Sequence, residues 1–172
     1  GLKSAADAKH GFDLDAMALE VANNYADYKK KQKAIGNLDY AKLPCINHPI
    51  FKGKDVNYDP REVFVQGLFK EKGIHNVFLD FYHSLVEALF KTKVSKNVYC
   101  VNIDAVIAVI LLKIVWADFN DGKMKEEDIE SASFATFLFG RMIGCAAEID
   151  DHTSRGKNMD TRTPASKCVY VG

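Results

Sequence analysis

Tyr99–Lys113 is the most apolar run of the chain, and it carries one carboxylate, Asp104, close to its beginning. An ionised carboxylate among Val, Ile and Leu is costly unless it is paired or hydrogen-bonded. Functional sites accept that cost more often than other places do, because they use such groups for proton exchange. The plainer reading is an Asp in the first turn of a helix, where the dipole and the free N–H groups favour a negative charge. Two further stretches carry groups of interest. His48 stands in a loop, followed by Asn57-Tyr58-Asp59-Pro60-Arg61 leading into a helix. Phe139-Gly140-Arg141-Met142-Ile143-Gly144 places an arginine inside an apolar helical pattern. A guanidinium keeps its charge in a protein, so wherever it is buried it needs an anionic or hydrogen-bonding partner. Taken singly, a loop histidine and a first-turn arginine such as Arg61 are ordinary surface residues.

The elements that position these residues read as helices. Prolines number only four, and most segments follow the helical period. The spacing predicts a first helix from Phe12 to about Gly36, with Met17, Leu19, Val21, Ala22 and Tyr25 on its apolar face. The Lys-rich run that follows suits a solvated helix C-terminus. Residues 43–59 hold two prolines, Gly53 and several turn formers, and must be irregular. Pro60 suits a first helical turn with Asp59 as N-cap, and that helix runs through Val63, Val65 and Leu68 to about Lys72. A further helix is predicted from Asn76 to about Thr92, with Val77, Leu79, Tyr82, Leu85, Val86 and Leu89 on one side. The apolar helix follows from about Val98 to Phe119, and Asn120-Asp121-Gly122 is a turn signal. The last long helix is predicted from near Met124 to near His152, its early acids suited to the dipole. The end of the chain, from Thr153, is polar and basic.

Composition narrows the function classes. The 172 residues are enough to bury a core, and Lys+Arg and Asp+Glu both number 23, so the formal net charge is zero. That balance gives no support to a nucleic-acid or anionic-membrane partner. Cys45, Cys100, Cys145 and Cys168 form no CxxC pair, which suggests reduced thiols in a cytoplasmic protein and no metal site. The first ten residues lack the apolar core of a signal peptide. The run from Val98 to Trp116 approaches the length of a membrane span, but Asn102, Asp104 and Lys113 interrupt it, which points to a buried helix instead.

Together and in order, these motifs resemble the citrate synthase superfamily, most closely the citryl-CoA lyase module of ATP-citrate lyase. The family loop G-H-R-V-Y-K-N-Y-D-P-R is similar to Asn47-His48-Pro49-Ile50-Phe51-Lys52 followed, after a short insertion, by Asn57-Tyr58-Asp59-Pro60-Arg61. The segments L-L-D-Y, N-V-D and L-G-R-S-M-G are matched by Phe78-Leu79-Asp80-Phe81, Asn102-Ile103-Asp104 and Phe139-Gly140-Arg141-Met142-Ile143-Gly144. The tail R-H-P followed by Y-V is similar to Arg162-Thr163-Pro164 and Tyr170-Val171. The resemblance runs from about residue 40 to the end of the sequence.

The resemblance implies an all-α, citrate-synthase-like fold, with residues 1–119 as the small domain and 123–172 returning to the large domain. Asp104 would exchange a proton with the acetyl methyl group, and His48 would face the oxygen that is the oxaloacetate carbonyl or the citryl hydroxyl. Arg61, Arg141 and Arg162 would hold the carboxylates, Arg162 from a neighbouring subunit. A coenzyme A thioester would lie along the His48 loop with Lys52 as a phosphate contact. Cleaving citryl-CoA to acetyl-CoA and oxaloacetate needs a base and an acid at opposite ends of the breaking bond, which these residue types supply. The reverse condensation, as in citrate synthase, uses the same groups. The sequence also departs from the family. The further histidine of a P-x-H-G-G motif is missing; Asn47 and Pro49 flank His48 in place of Gly and Arg; Glu148 stands where a histidine often follows the R-x-x-G helix. These departures leave open a non-catalytic helical partner that kept the fold. The expected assembly is a homo-oligomer or a complex with a chain supplying the large domain.

Overall fold

The computed structural model describes residues 13–154, which form five helices and, within those residues, no extended sheet. Helix α1 spans Leu14–Ala34, α2 Pro60–Glu71, α3 Val77–Lys91, α4 Ile103–Asn120 and α5 Glu126–Ser154. The chain is therefore all-α over this range.

Helices α1, α3 and α4 make the core. Asp13 caps α1 by accepting from the amides of Asp15 and Ala16 at 3.0 and 3.2 Å. Its buried residues are Ala18 and Ala22, one turn apart, and their small side chains let α1 lie close against α3. Leu19, expected on the apolar face of α1, is exposed instead. Helix α3 is the most amphipathic element and buries Phe78, Leu79, Phe81, Leu85, Val86, Ala88 and Leu89. Its N-cap, Asn76, accepts from Phe78 N at 3.1 Å and donates to the carbonyl of Val109 at 3.1 Å. One buried amide thus fixes the start of α3 against the middle of α4, whose Ala105, Val106, Val109 and Leu112 close the core.

The structure departs from the sequence-based pattern in two helices. In α2, Val63 and Leu68 are exposed, and the one buried residue is Glu62. The apolar run from Val98 starts as extended chain, and α4 begins only at Ile103. Val98 and Val101 form isolated bridges with Val56 and Ile46, and the amides of Asn47, Asn57 and Asn102 bond across to or from this stretch at 2.9–3.1 Å. β-branched Val-Tyr-Cys-Val suits that extended pairing better than a helix. Its consequence for the site is that Asp104 stands in the first turn of α4.

Helix α5 is 29 residues long and packs against α4, while Phe134, Phe139, Met142 and Ile143 remain more than half exposed. By length and composition alone it is also long and apolar enough to cross a membrane, with an 18-residue window of mean hydropathy 1.2. The interrupted run singled out in the sequence is instead broken at Asn102 and largely folded into the core.

Candidate functional site

Asp59 is the joint on which the site is built. It is fully buried at the N-cap of α2, next to Pro60, whose fixed φ suits the first helical turn. Its Oδ1 accepts from Arg61 N and Arg61 Nε, both at 3.0 Å, and its Oδ2 accepts from Arg61 Nη2 at 2.7 Å. The same Oδ2 accepts from Ile103 N, the first amide of α4, at 3.2 Å. Asn102, the residue at the N-cap of α4, makes no capping bond of its own. A residue 44 positions earlier in the chain therefore caps α4. Burial pushes the Asp59 carboxyl up, but the Arg61 side chain, its amide and charge, and the Ile103 amide outweigh that and hold it below the usual carboxylate range. Asp59 in turn raises Arg61, with Asp104 adding to the effect, so Arg61 lies within electrostatic reach of both carboxylates.

The His48 loop joins this cluster through Phe51. The imidazole of His48 stacks on the Phe51 ring at 4.5 Å between centroids, and the Arg61 guanidinium also sits over that ring, 5.7 Å from its centroid. His48 Nδ1 accepts from Ile50 N at 3.1 Å and from Phe51 N at 3.4 Å. An imidazole that accepts at Nδ1 carries its proton at Nε2, so His48 offers a donor on its half-buried outer edge. Asn47, at φ 64°, turns the loop so that this geometry forms; Asn tolerates the left-handed region better than most residues.

Asp104 faces a cavity of about 900 Å³ between α4 and α5, with Cys45 and Tyr82 beside it. Its Oδ1 is buried and without a hydrogen-bond partner among the described residues. Burial pushes the Cys45 thiol up, the Asp104 charge adds to that, and a hydrogen bond with Tyr82 offsets part of it. Burial, then Cys45, push the Tyr82 hydroxyl up to about 12. Both groups are therefore protonated near neutral pH.

The remaining residues singled out in the sequence are placed less closely. Arg141 is exposed on α5 with its guanidinium 5.5 Å from the ring of Phe137, which lines the Asp104 cavity one turn away. It is not the buried arginine that its apolar surroundings in sequence suggest. Lys52 is exposed on the His48 loop. Arg162 lies outside the described residues. Thus His48 and Arg61 are linked through Phe51, and Asp59 ties Arg61 to the first amide of α4, while Asp104 faces a separate cavity that neither His48 nor Arg61 lines.

A second group was not foreseen from the sequence. Glu62, nearly fully buried, accepts from His83 Nε2 at 3.0 Å and contacts Gln66, whose amide lies 2.6 Å from the same ring nitrogen. These side chains line a cleft of about 690 Å³ between α2 and α3. Glu62 and Gln66 stand four residues apart on one helix, which the sequence shows; that α3 brings His83 to them is a matter of tertiary packing. No protein-family model, curated protein or solved structure matches this chain.

Proposed function

We propose that this chain is the C-terminal part of a citryl-CoA lyase of the citrate synthase superfamily, similar to that of ATP-citrate lyase. The observation that carries the reading is the convergence of the His48 loop, Arg61 and the Asp104 end of α4 on one buried carboxylate, Asp59. In this reading His48 presents its Nε2 proton to the oxygen that alternates between citryl hydroxyl and oxaloacetate carbonyl. Asp104, in the first turn of α4, exchanges a proton with the acetyl methyl carbon. Arg61 keeps part of its guanidinium free of Asp59 and half exposed, enough to accept a substrate carboxylate. Lys52 and Lys54 are exposed on the loop and offer charge to the phosphates of coenzyme A. The apolar, exposed side of α5 is the surface that a large-domain chain or a second copy would cover.

The family's second catalytic histidine has no counterpart in this sequence, so the isolated chain turns nothing over, and the test uses two measurements. Calorimetry of oxaloacetate with the 172-residue chain is expected to show binding that Arg61→Gln removes. A coupled assay of citryl-CoA cleavage, with a chain bearing the P-x-H-G-G histidine added, is expected to lose about 10²–10⁴-fold in Asp104→Asn. Absence of oxaloacetate binding, or cleavage indifferent to Asp104→Asn, refutes the assignment. The same mixture run with acetyl-CoA and oxaloacetate distinguishes citrate synthase. A non-catalytic partner is favoured by one observation: His48 Nδ1 and the Arg61 fork are already used to hold their own chain. That reading predicts assembly with the second chain and no substrate binding.

A further inference from the structure

We infer that the lysine-rich end of the molecule docks on the surface of an anionic lipid bilayer, with Ile35 and Leu38 entering its interface. This goes beyond the citryl-CoA reading and uses none of its residues. The zero net charge of the chain conceals an uneven distribution. Residues 29–42 and 91–96 hold eight lysines and one acid, Asp39. The fold brings the two segments together: α1 packs on α3, and at their C-terminal ends Lys29 Nζ donates to the carbonyl of Val94 at 3.2 Å. Lys30, Lys31 and Lys33 from α1 are exposed there, as are Lys91, Lys93 and Lys96 from the end of α3 and the connector after it. Lys30 reaches Asp27 at 3.6 Å and Lys91 reaches Glu87 at 3.7 Å, but exposed pairs of this kind are weak. Helix α4 ends at the opposite end of α3, where Trp116 lies 5.2 Å from Phe78, and leads into Asp118, Asp121, Glu126 and Glu127. The charge is thus polarised along the molecule, and an anionic surface attracts one end of it.

Helix dipoles account for lysines in the last turns of α1 and α3. They do not account for the two aliphatic side chains beside them. Ile35 and Leu38 are 75% and 78% exposed, the highest values for large apolar side chains among the described residues. Both sit on the turn that ends α1. Ile35 is the C-cap, and Gly36, at φ 73°, reverses the chain so that Asn37 N donates to the Gln32 carbonyl at 3.0 Å. The turn is held in place: Asn37 Nδ2 donates to Gln32 Oε1 at 2.7 Å, and Tyr25 and Tyr28 bond the backbone of Ala41 at 3.3 Å. A bilayer surface answers both features at once, with acidic headgroups for the ammonium groups and the acyl boundary for the aliphatic pair. A nucleic acid answers the charge alone, since its bases stack on aromatic faces. The tyrosines at this end pack on one another instead, Tyr28 lying 6.1 Å from Tyr25 and 6.2 Å from Tyr40 between centroids.

Flotation of the full chain tests this, with vesicles of phosphatidylcholine alone and of phosphatidylcholine with about 30% phosphatidylserine. At about 0.1 M salt the chain is expected to float with the anionic vesicles and not with the neutral ones, and about 0.5 M salt is expected to release it. Lys30→Ser/Lys31→Ser/Lys33→Ser is expected to weaken binding about 10²-fold, since each lysine near an anionic surface contributes about fivefold. Ile35→Ser/Leu38→Ser is expected to weaken it about tenfold at unchanged charge. If the triple lysine variant loses its native circular dichroism, Lys93→Ser/Lys96→Ser decides, with an expected loss of about 10–30-fold. No binding to anionic vesicles by a natively folded chain overturns the inference. So does equal binding to both vesicles, which assigns the contact to α5, or binding that the lysine or the Ile35/Leu38 variants leave unchanged. Binding of a single-stranded oligonucleotide without binding of vesicles assigns the lysines to nucleic acid and overturns the bilayer. These outcomes are independent of oxaloacetate binding, so the two readings fail separately.

Discussion

Replacing Asp59 by alanine removes four hydrogen bonds at once, three from Arg61 and one from Ile103 N. Loss of an N-cap costs about 1 kcal/mol, and Asp59 serves both α2 and α4. Loss of the charge-assisted pair with Arg61 adds about 1.5–3 kcal/mol in general. The lower end applies, because the Arg61 side chain is 38% exposed and water replaces part of the lost partner. The expected destabilisation is about 3–4 kcal/mol, a large share of the roughly 5–15 kcal/mol that holds a domain folded. Asp59→Asn keeps a capping oxygen and loses the charge, so it is expected to cost about 1–2 kcal/mol. Urea unfolding followed by Trp116, the single tryptophan, which packs 5.2 Å from Phe78 in the core, measures both. The pH dependence gives a second reading. The Asp59 carboxyl is held below its ordinary value in the folded chain, so its contribution is fully present above the unfolded value, about 3.9, and is lost as pH falls through the folded one. Asp59→Asn should therefore remove part of the acid loss that the parent chain shows below about pH 4. A destabilisation by Asp59→Ala of less than about 1 kcal/mol would refute Asp59 as the joint between the two helix ends. So would an acid profile that Asp59→Asn leaves unchanged.

Further changes test other parts of the molecule. His83→Ala leaves the carboxylate of Glu62 buried with one partner fewer, and is expected to cost about 1–3 kcal/mol in the same urea assay, whereas Glu62→Gln with His83 retained costs less. Cys145 is exposed, while burial pushes up the thiols of Cys45 and Cys100, so alkylation near neutral pH followed by mass spectrometry of the separate peptides is expected to label Cys145 well ahead of Cys45 and Cys100. The Phe139→Glu/Ile143→Glu variant places two charges on the exposed apolar side of α5 and is expected to convert an associating chain to monomer by sedimentation. Flotation of the parent chain with neutral lipid vesicles, and no change in sedimentation, would instead assign that helix to a bilayer.

The helices were legible in the sequence wherever one side chain does a local job. Asp59 with Pro60 is a start signal because an N-cap needs only a short polar side chain and a free amide two or three residues on. The apolar face of α3 was legible for a similar reason, since its burial repeats with the helical period. The start of α4 was not, because Val98–Val101 is apolar enough for either state and only its pairing with the chain around Ile46 and Val56 makes it extended. Asp104, His48 and Arg61 were recognisable as chemical types, yet the linkage of His48 and Arg61 through Phe51, and of Arg61 to the start of α4 through Asp59, joins separate segments and is a product of packing. The same is true of Glu62 on the buried side of α2: local spacing points to Val63 and Leu68, and it is His83, arriving on another helix, that lets the carboxylate be the residue turned inward. Composition and periodicity thus determine that this chain is helical and where most helices begin. Which polar groups become buried depends on contacts between distant segments, since a buried charge is tolerated only where another part of the fold meets it.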